Sequence, residues 1–246
     1  MAIIALDPLS LYCDASGNEH QPVTVVGGVL ASVEQWLAFR PRWNEALGVD
    51  GIKVFHANEY AHSYGEFING WKGNEPRRRA FARRLLTVLA GTLQWWSGVA
   101  VRQTEYNKAD AIYELRENFQ PFALCAETSI DLALKWRDGK HLDYLPLKYL
   151  FESGDTHWGQ MSHRIKERFG DPPIPGDKKD PPFRAADFVA YEVRTAFIDL
   201  EVKDEIFKKF GERFVLLGQI EGTWGELLDE VIRTELNLRK IPKRQM

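Results

Sequence analysis

Leu9-Ser10-Leu11-Tyr12-Cys13-Asp14, running straight into Ala15-Ser16-Gly17-Asn18, is the stretch whose reading decides the fold of this chain. An apolar run ends on a carboxylate and turn formers follow. A second apolar run, Val23-Thr24-Val25-Val26-Gly27-Gly28-Val29-Leu30, begins soon after. Two such runs about a Ser-Gly-Asn turn predict a hairpin in the middle of a core, with Asp14 at the rim of its first strand. An ionised Asp there is costly to desolvate unless a cation or several donors meet it.

Downstream, Ser32 and Gln35 have capping-box spacing ahead of a helical stripe of Val33, Trp36, Leu37, Arg40, Trp43 and Leu47. Residues 49 to 75 read as irregular and contain Phe55-His56-Ala57-Asn58-Glu59-Tyr60. Pro76 opens a helix with an apolar face of Phe81, Leu85, Val88 and Leu89, and Leu93 to Val101 reads as a third strand. A long helical stretch from about Leu115 to Trp136 contains Pro121, which kinks it or marks a second start. Leu147 to Phe151 is a fourth strand, Glu152-Ser153-Gly154-Asp155 the turn beyond it, and Thr156 to Phe169 a helix. Gly170 to Pro182 is a loop by composition, Ala185 to about Leu200 a helix. Thr223 and Glu226 form a capping-box pair before a last helix through Leu227, Leu228, Val231, Ile232 and Leu236. With no repeat and no linker, residues 1–246 read as one mixed α/β domain with a C-terminal helical extension from about 201.

The acidic residues Asp14, Glu59, Glu152, Asp155 and Asp187 recur beside strand ends, in an aromatic loop and at a helix start. Hard divalent cations prefer such oxygen ligands. Two of them ~3.5–4 Å apart can hold the attacking and leaving oxygens of a phosphodiester. That chemistry needs carboxylates converging from separate parts of a chain.

Tyr12-Cys13-Asp14-Ala15-Ser16-Gly17 with the Gly27-Gly28 strand, Phe55-His56-Ala57-Asn58-Glu59, and Phe183-Arg184-Ala185-Ala186-Asp187-Phe188-Val189-Ala190-Tyr191 together resemble the family catalogued as domain of unknown function 3800. The resemblance runs from about Leu9 to Leu200. It implies a ribonuclease H-like fold (a mixed sheet, antiparallel at its start, with helical insertions), Asp14 on the central strand and Asp187 on a helix facing it. There are two departures. Ala15 stands where the family commonly has Glu, which removes a candidate ligand, and Arg184 where Gln is usual.

The expectation is a divalent-metal-dependent phosphodiester hydrolase acting on DNA or RNA, with Mg²⁺ or Mn²⁺ as cofactor. Asp14, Asp187, Glu152 and Asp155 are the candidate metal ligands, with His56 and Glu59 assisting beside them. Lys178, Lys179, Arg184 and Ser16 are the candidate substrate contacts. Blander readings stand alongside: Asp14 as a turn residue, Asp187 serving the exposed amides of its own helix, and His56 as a buried histidine beside Phe55. The Arg77-Arg78-Arg79 and Arg83-Arg84 runs fit either a phosphate track or a solvated helix face. The same fold can also bind nucleic acid or protein without cutting, or hydrolyse a small phosphorylated molecule.

A formal net charge of -3 argues against a chain that is basic overall, so any nucleic-acid surface is local. Cys13 and Cys125 form no paired-spacing motif, which argues against a zinc ribbon or disulfide framework and fits a reducing cytosol. His157 and His163 lack the spacing of a helical zinc pair. No apolar leader or run of ~20 apolar residues is present, so a cytoplasmic location away from membranes is expected.

Overall fold

The hairpin forms as β1 (Leu9–Ser16) and β2 (Val23–Ser32), paired antiparallel from Leu9 opposite Ser32 to Ser16 opposite Val25. In this computed structural model, which describes residues 7–17, 21–117, 119–153, 158–203 and 217–226, β1 continues two residues past Asp14. Asp14 therefore lies inside the strand, opposite Gly27, and not at its rim. On one side β3 (Trp95–Arg102) pairs antiparallel with β2. On the other, β4 (Leu147–Glu152) runs parallel to β1, and β5 (Ile174–Gly176) parallel to β4. Adding β6 (Gly222–Glu226), parallel to β3, gives the order β5-β4-β1-β2-β3-β6. An antiparallel three-strand meander continued by parallel strands beyond β1 is a ribonuclease H-like mixed sheet, as expected.

Helices cover both faces. Strand alternation sends Leu9, Leu11 and Cys13 into the core under α4 (Gln103–Tyr113), α5 (Pro121–Gly139) and α6 (Trp158–Phe169). It sends Tyr12 into the opposite core, with α1 (Val33–Gly48), α3 (Glu75–Ala90) and α7 (Pro181–Lys203). Asp14, two residues after Tyr12, shares this second face.

The two glycines of β2 admit one helix each. A Cβ on Gly27 would stand 2.5 Å from the Ala190 nitrogen and 2.7 Å from the Ala186 carbonyl oxygen, so the α7 backbone lies directly on the strand. A Cβ on Gly28 would meet Ser97 Oγ at 2.5 Å and Ser129 Oγ at 2.8 Å on the other face. Close approach at Gly27 is what brings Asp187, next to Ala186, down to the sheet. Gly27→Ala should therefore push α7 outward and destabilise the fold by about 1–3 kcal/mol in urea unfolding, since helix backbone cannot yield as a side chain can.

Ser32 and Gln35 form the expected capping box at α1. The segment 49–75 is more ordered than its composition suggests. It contains α2 (Ala57–His62), and Phe55, Tyr60, Phe67 and Trp71 join Trp43 and Phe81 in one aromatic cluster, edge-to-face at most of its contacts. Arg77 reaches Asp50 at 2.9 Å while lying over the Trp71 ring. Arg78 donates to the Tyr60 carbonyl at 2.8 Å and to Ser63 Oγ at 2.9 Å, and Arg84 also pairs with Asp50. These three arginines are neither a phosphate track nor a solvated face; they fasten α3 to the loop.

Other elements depart from expectation. Pro121 is a second start, since α5 begins there, and α4 precedes it as a separate helix. The Pro-rich loop contains β5, and α7 starts at Pro181, four residues early. Thr223 and Glu226 lie in β6 rather than before a helix; the helix expected from Leu227 onward falls outside the described residues. No helix among the described residues is long and apolar enough to cross a membrane.

Candidate active site

Parallel pairing of β1 and β4 sets Cys13 beside Phe151, so the next residues along, Asp14 and Glu152, come side by side. The two flank a cleft of about 250 Å³ that Ala15, Gly17, Phe122, Ser153 and Lys178 also line. Glu152 is held on one side only. Its Oε1 accepts an ion pair from Lys178 Nζ at 2.6 Å, whereas its Oε2 is buried with no donor. Asp14 faces Glu152 at hydrogen-bonding range, an approach that two carboxylates tolerate only with a proton or a cation between them.

Asp187 completes the group from α7. Because that helix begins at Pro181, Asp187 sits in its second turn and does not serve the exposed amides of its own N-terminus. Its Oδ2 instead accepts from the Ala57 backbone N–H at 2.9 Å, the first residue of α2, whose own N-cap residue His56 offers no side-chain bond. One aspartate thus fixes the loop that carries His56 and faces the other carboxylates.

The electrostatics follow from this crowding. Burial pushes the Asp14 carboxyl well above the ordinary carboxylate range, and the charges of Asp187 and Glu152 push it further. Burial likewise raises Asp187 to about 6, against the lowering effects of the Ala57 N–H, Arg184 and Lys178. Arg184 is buried, 2% exposed, and its Nη1 donates to His56 Nδ1 at 3.2 Å. Burial and then the Arg184 charge lower the His56 pKa, so the ring is neutral at neutral pH with its hydrogen on Nε2.

The structure thus gathers Asp14, Glu152, Asp187, Lys178, His56 and Arg184. Arg184 is enclosed and engaged with His56, which removes it as a direct substrate contact. Glu59 acts on His56 through its charge, while its Oε2 accepts the Glu66 N–H at 3.3 Å and packs on Gly65. Lys179 is exposed, with its backbone N–H donating to Asp177 Oδ1 at 2.9 Å. Ser16 ends β1, half-buried. Asp155 lies outside the described residues.

A further pair has no sequence signal. Arg40 on α1 grips Asp180 through Nε and Nη2, at 2.9 and 2.8 Å, and thereby anchors the loop that carries Lys178. Arg40 lies 140 positions away in sequence, on a stripe that reads as helix packing.

Among the described residues, no three His, Cys, Asp or Glu side chains are already drawn together closely enough to hold a metal ion. The donor set nonetheless fits a hard cation: all oxygen, with the buried Glu152 Oε2 lacking any donor.

No protein-family model matches the chain, and no curated protein matches it in sequence. Among solved structures, a chain of the PCNA:RNase HII complex from Archaeoglobus fulgidus is similar over 95% of this chain and 91% of that one, with 16% identity and a TM-score of 0.45. That likeness is too slight to bear on the site, and the fold assignment rests on strand order and direction.

Proposed function

We propose that this protein is a divalent-metal-dependent phosphodiester hydrolase acting on nucleic acid, related to the family catalogued as domain of unknown function 3800. The supporting observation is that Asp14, Glu152 and Asp187, from two strands and a helix distant in sequence, lie near enough together that burial and one another's charges hold both aspartates above the ordinary carboxylate range. Such crowding of carboxylates is costly unless the site has a use for it.

In this reading Asp14, Glu152 and Asp187 hold Mg²⁺ or Mn²⁺. When bound, that ion polarises the phosphodiester and lowers the pKa of water at the site. The chain's own residues do the rest. Lys178, an exposed ammonium paired to Glu152, meets the phosphate charge at the cleft mouth. Neutral His56 offers Nε2–H as a donor without adding a cation, and Arg184 keeps it in that tautomer. Asp187 orients the His56 loop through the Ala57 N–H.

A second reading, binding without cutting, is favoured by one observation: Glu152 Oε1 is already engaged by Lys178. Incubation of labelled single- and double-stranded DNA, RNA and hybrid oligonucleotides with Mg²⁺, Mn²⁺ or EDTA separates the two. Hydrolysis in the metal arms alone supports the enzyme. Oligonucleotide binding with no product in any arm supports the binding module.

A further inference from the structure

We propose that Lys178 takes the place of a second metal ion, so that this site works with a single divalent cation. The inference rests on the reading above and concerns how many ions the site holds.

The first observation is placement. Lys178 comes two residues after β5, whose last residue Gly176 pairs with Glu152 on β4. That junction is clamped, since Ser153 N–H and Ser153 Oγ both donate to the Gly176 carbonyl, at 3.1 and 2.9 Å. On the far side, the bidentate Arg40–Asp180 pair fixes the loop to α1. Held at both ends, the loop presents the Lys178 ammonium to Glu152 at 2.6 Å, beside Asp14 in the same cleft. An ammonium is a compact point charge with three donors, suited to bridging a carboxylate and a phosphate oxygen.

The second observation is charge. The charged groups acting on Asp14 are Asp187, Glu152 and Lys178, and those acting on Asp187 are Arg184, Lys178 and Glu152. Among the described residues, which do not include Asp155, three carboxylates against two cationic side chains leave one negative charge. One divalent ion turns this to one positive charge, which a phosphodiester neutralises. A second ion would leave two positive charges unmatched in a partly buried site. Matching it needs another carboxylate, and among the described residues that line the cleft Asp14 and Glu152 are the only ones.

The test counts ions directly. The full chain, its Lys178→Ala and Lys178→Arg variants, and Asp14→Asn are titrated with Mn²⁺ alone and followed by calorimetry and electron paramagnetic resonance. Circular dichroism confirms that each variant is folded. The wild type should bind one Mn²⁺ per chain with the spectrum of an isolated ion. Lys178→Arg should do the same, and Asp14→Asn should lose that ion. Lys178→Ala should take up a second Mn²⁺ at millimolar concentration, or bind its single ion at least several-fold more tightly. Two tightly bound, spin-coupled Mn²⁺ in the wild type would overturn the inference while leaving the hydrolase reading intact. Unchanged stoichiometry and affinity in Lys178→Ala would overturn it as well. No Mn²⁺ bound by any form would overturn the hydrolase reading itself.

Discussion

Asp14→Asn and Asp187→Asn should each lower metal-dependent hydrolysis of nucleic acid by a factor on the order of 10³, the scale on which preorganised charge at a reacting phosphate acts. The two variants should differ in a second respect. The groups acting on the Asp14 carboxyl are its site neighbours Asp187, Glu152 and Lys178, so its Asn variant should keep the native near-ultraviolet dichroism. Asp187 also holds the Ala57 N–H at the start of α2. An Asn there keeps one oxygen for that bond, whereas Asp187→Ala leaves the N–H without it and should expose the 55–67 loop to protease. Initial rates at saturating Mg²⁺ and limited proteolysis are the measurements. Full activity in Asp14→Asn would remove the cluster from the chemistry.

The second large effect runs opposite to the usual sign of a mutation. In EDTA at pH 7.5, Asp14→Asn should be more stable than the wild type by about 1–2 kcal/mol, because it removes one of three crowded negative charges. For a domain of this size that is roughly 2–8 °C in Tm. Both aspartates titrate above their ordinary values in the folded protein, Asp187 at about 6 against 3.8 for the free side chain. As pH falls, the native state therefore takes up protons before the unfolded chain does. The destabilisation is fully present above the folded pKa values and is relieved as pH drops toward about 4. The advantage of Asp14→Asn should accordingly shrink between pH 7.5 and pH 5, and Mg²⁺ at pH 7.5 should shrink or reverse it. Urea unfolding at the two pH values, with and without Mg²⁺, checks each part. A variant less stable than wild type at pH 7.5 in EDTA would mean that the carboxylates do not repel one another.

How much of this was legible in the sequence depends on where the deciding force is local. The β1–β2 hairpin and the α1 cap were readable because apolar alternation, turn residues and a capping box act within a few positions. Asp14 and Asp187 were nameable from their flanking motifs, but their meeting depends on Gly27 admitting the α7 backbone. That is a contact between residues far apart in sequence, and a glycine pair alone does not announce it. β5 was hidden because Ile174-Pro175-Gly176 has loop composition; a proline is tolerated there since the strand forms the sheet edge. β6 was read as a helix start because Thr223 and Glu226 have capping-box spacing. Pairing with β3 overrides that signal, and a bare Gly222 is needed beneath the Trp96 ring. Arg77, Arg78 and Arg84 of α3 were misread in both directions, because a charge run in sequence does not show the aromatic rings and loop carbonyls it will meet; Arg79 and Arg83 are exposed, as on a solvated face.

The most direct measurement is anomalous diffraction from crystals of the wild-type protein soaked in Mn²⁺. The account predicts one peak about 2.0–2.2 Å from oxygens of Asp14, Glu152 and Asp187, with Lys178 Nζ still beside Glu152. A soak at tens of millimolar with no peak among these carboxylates, or with the ion bound elsewhere while Asp14 and Asp187 stay apart, would contradict it.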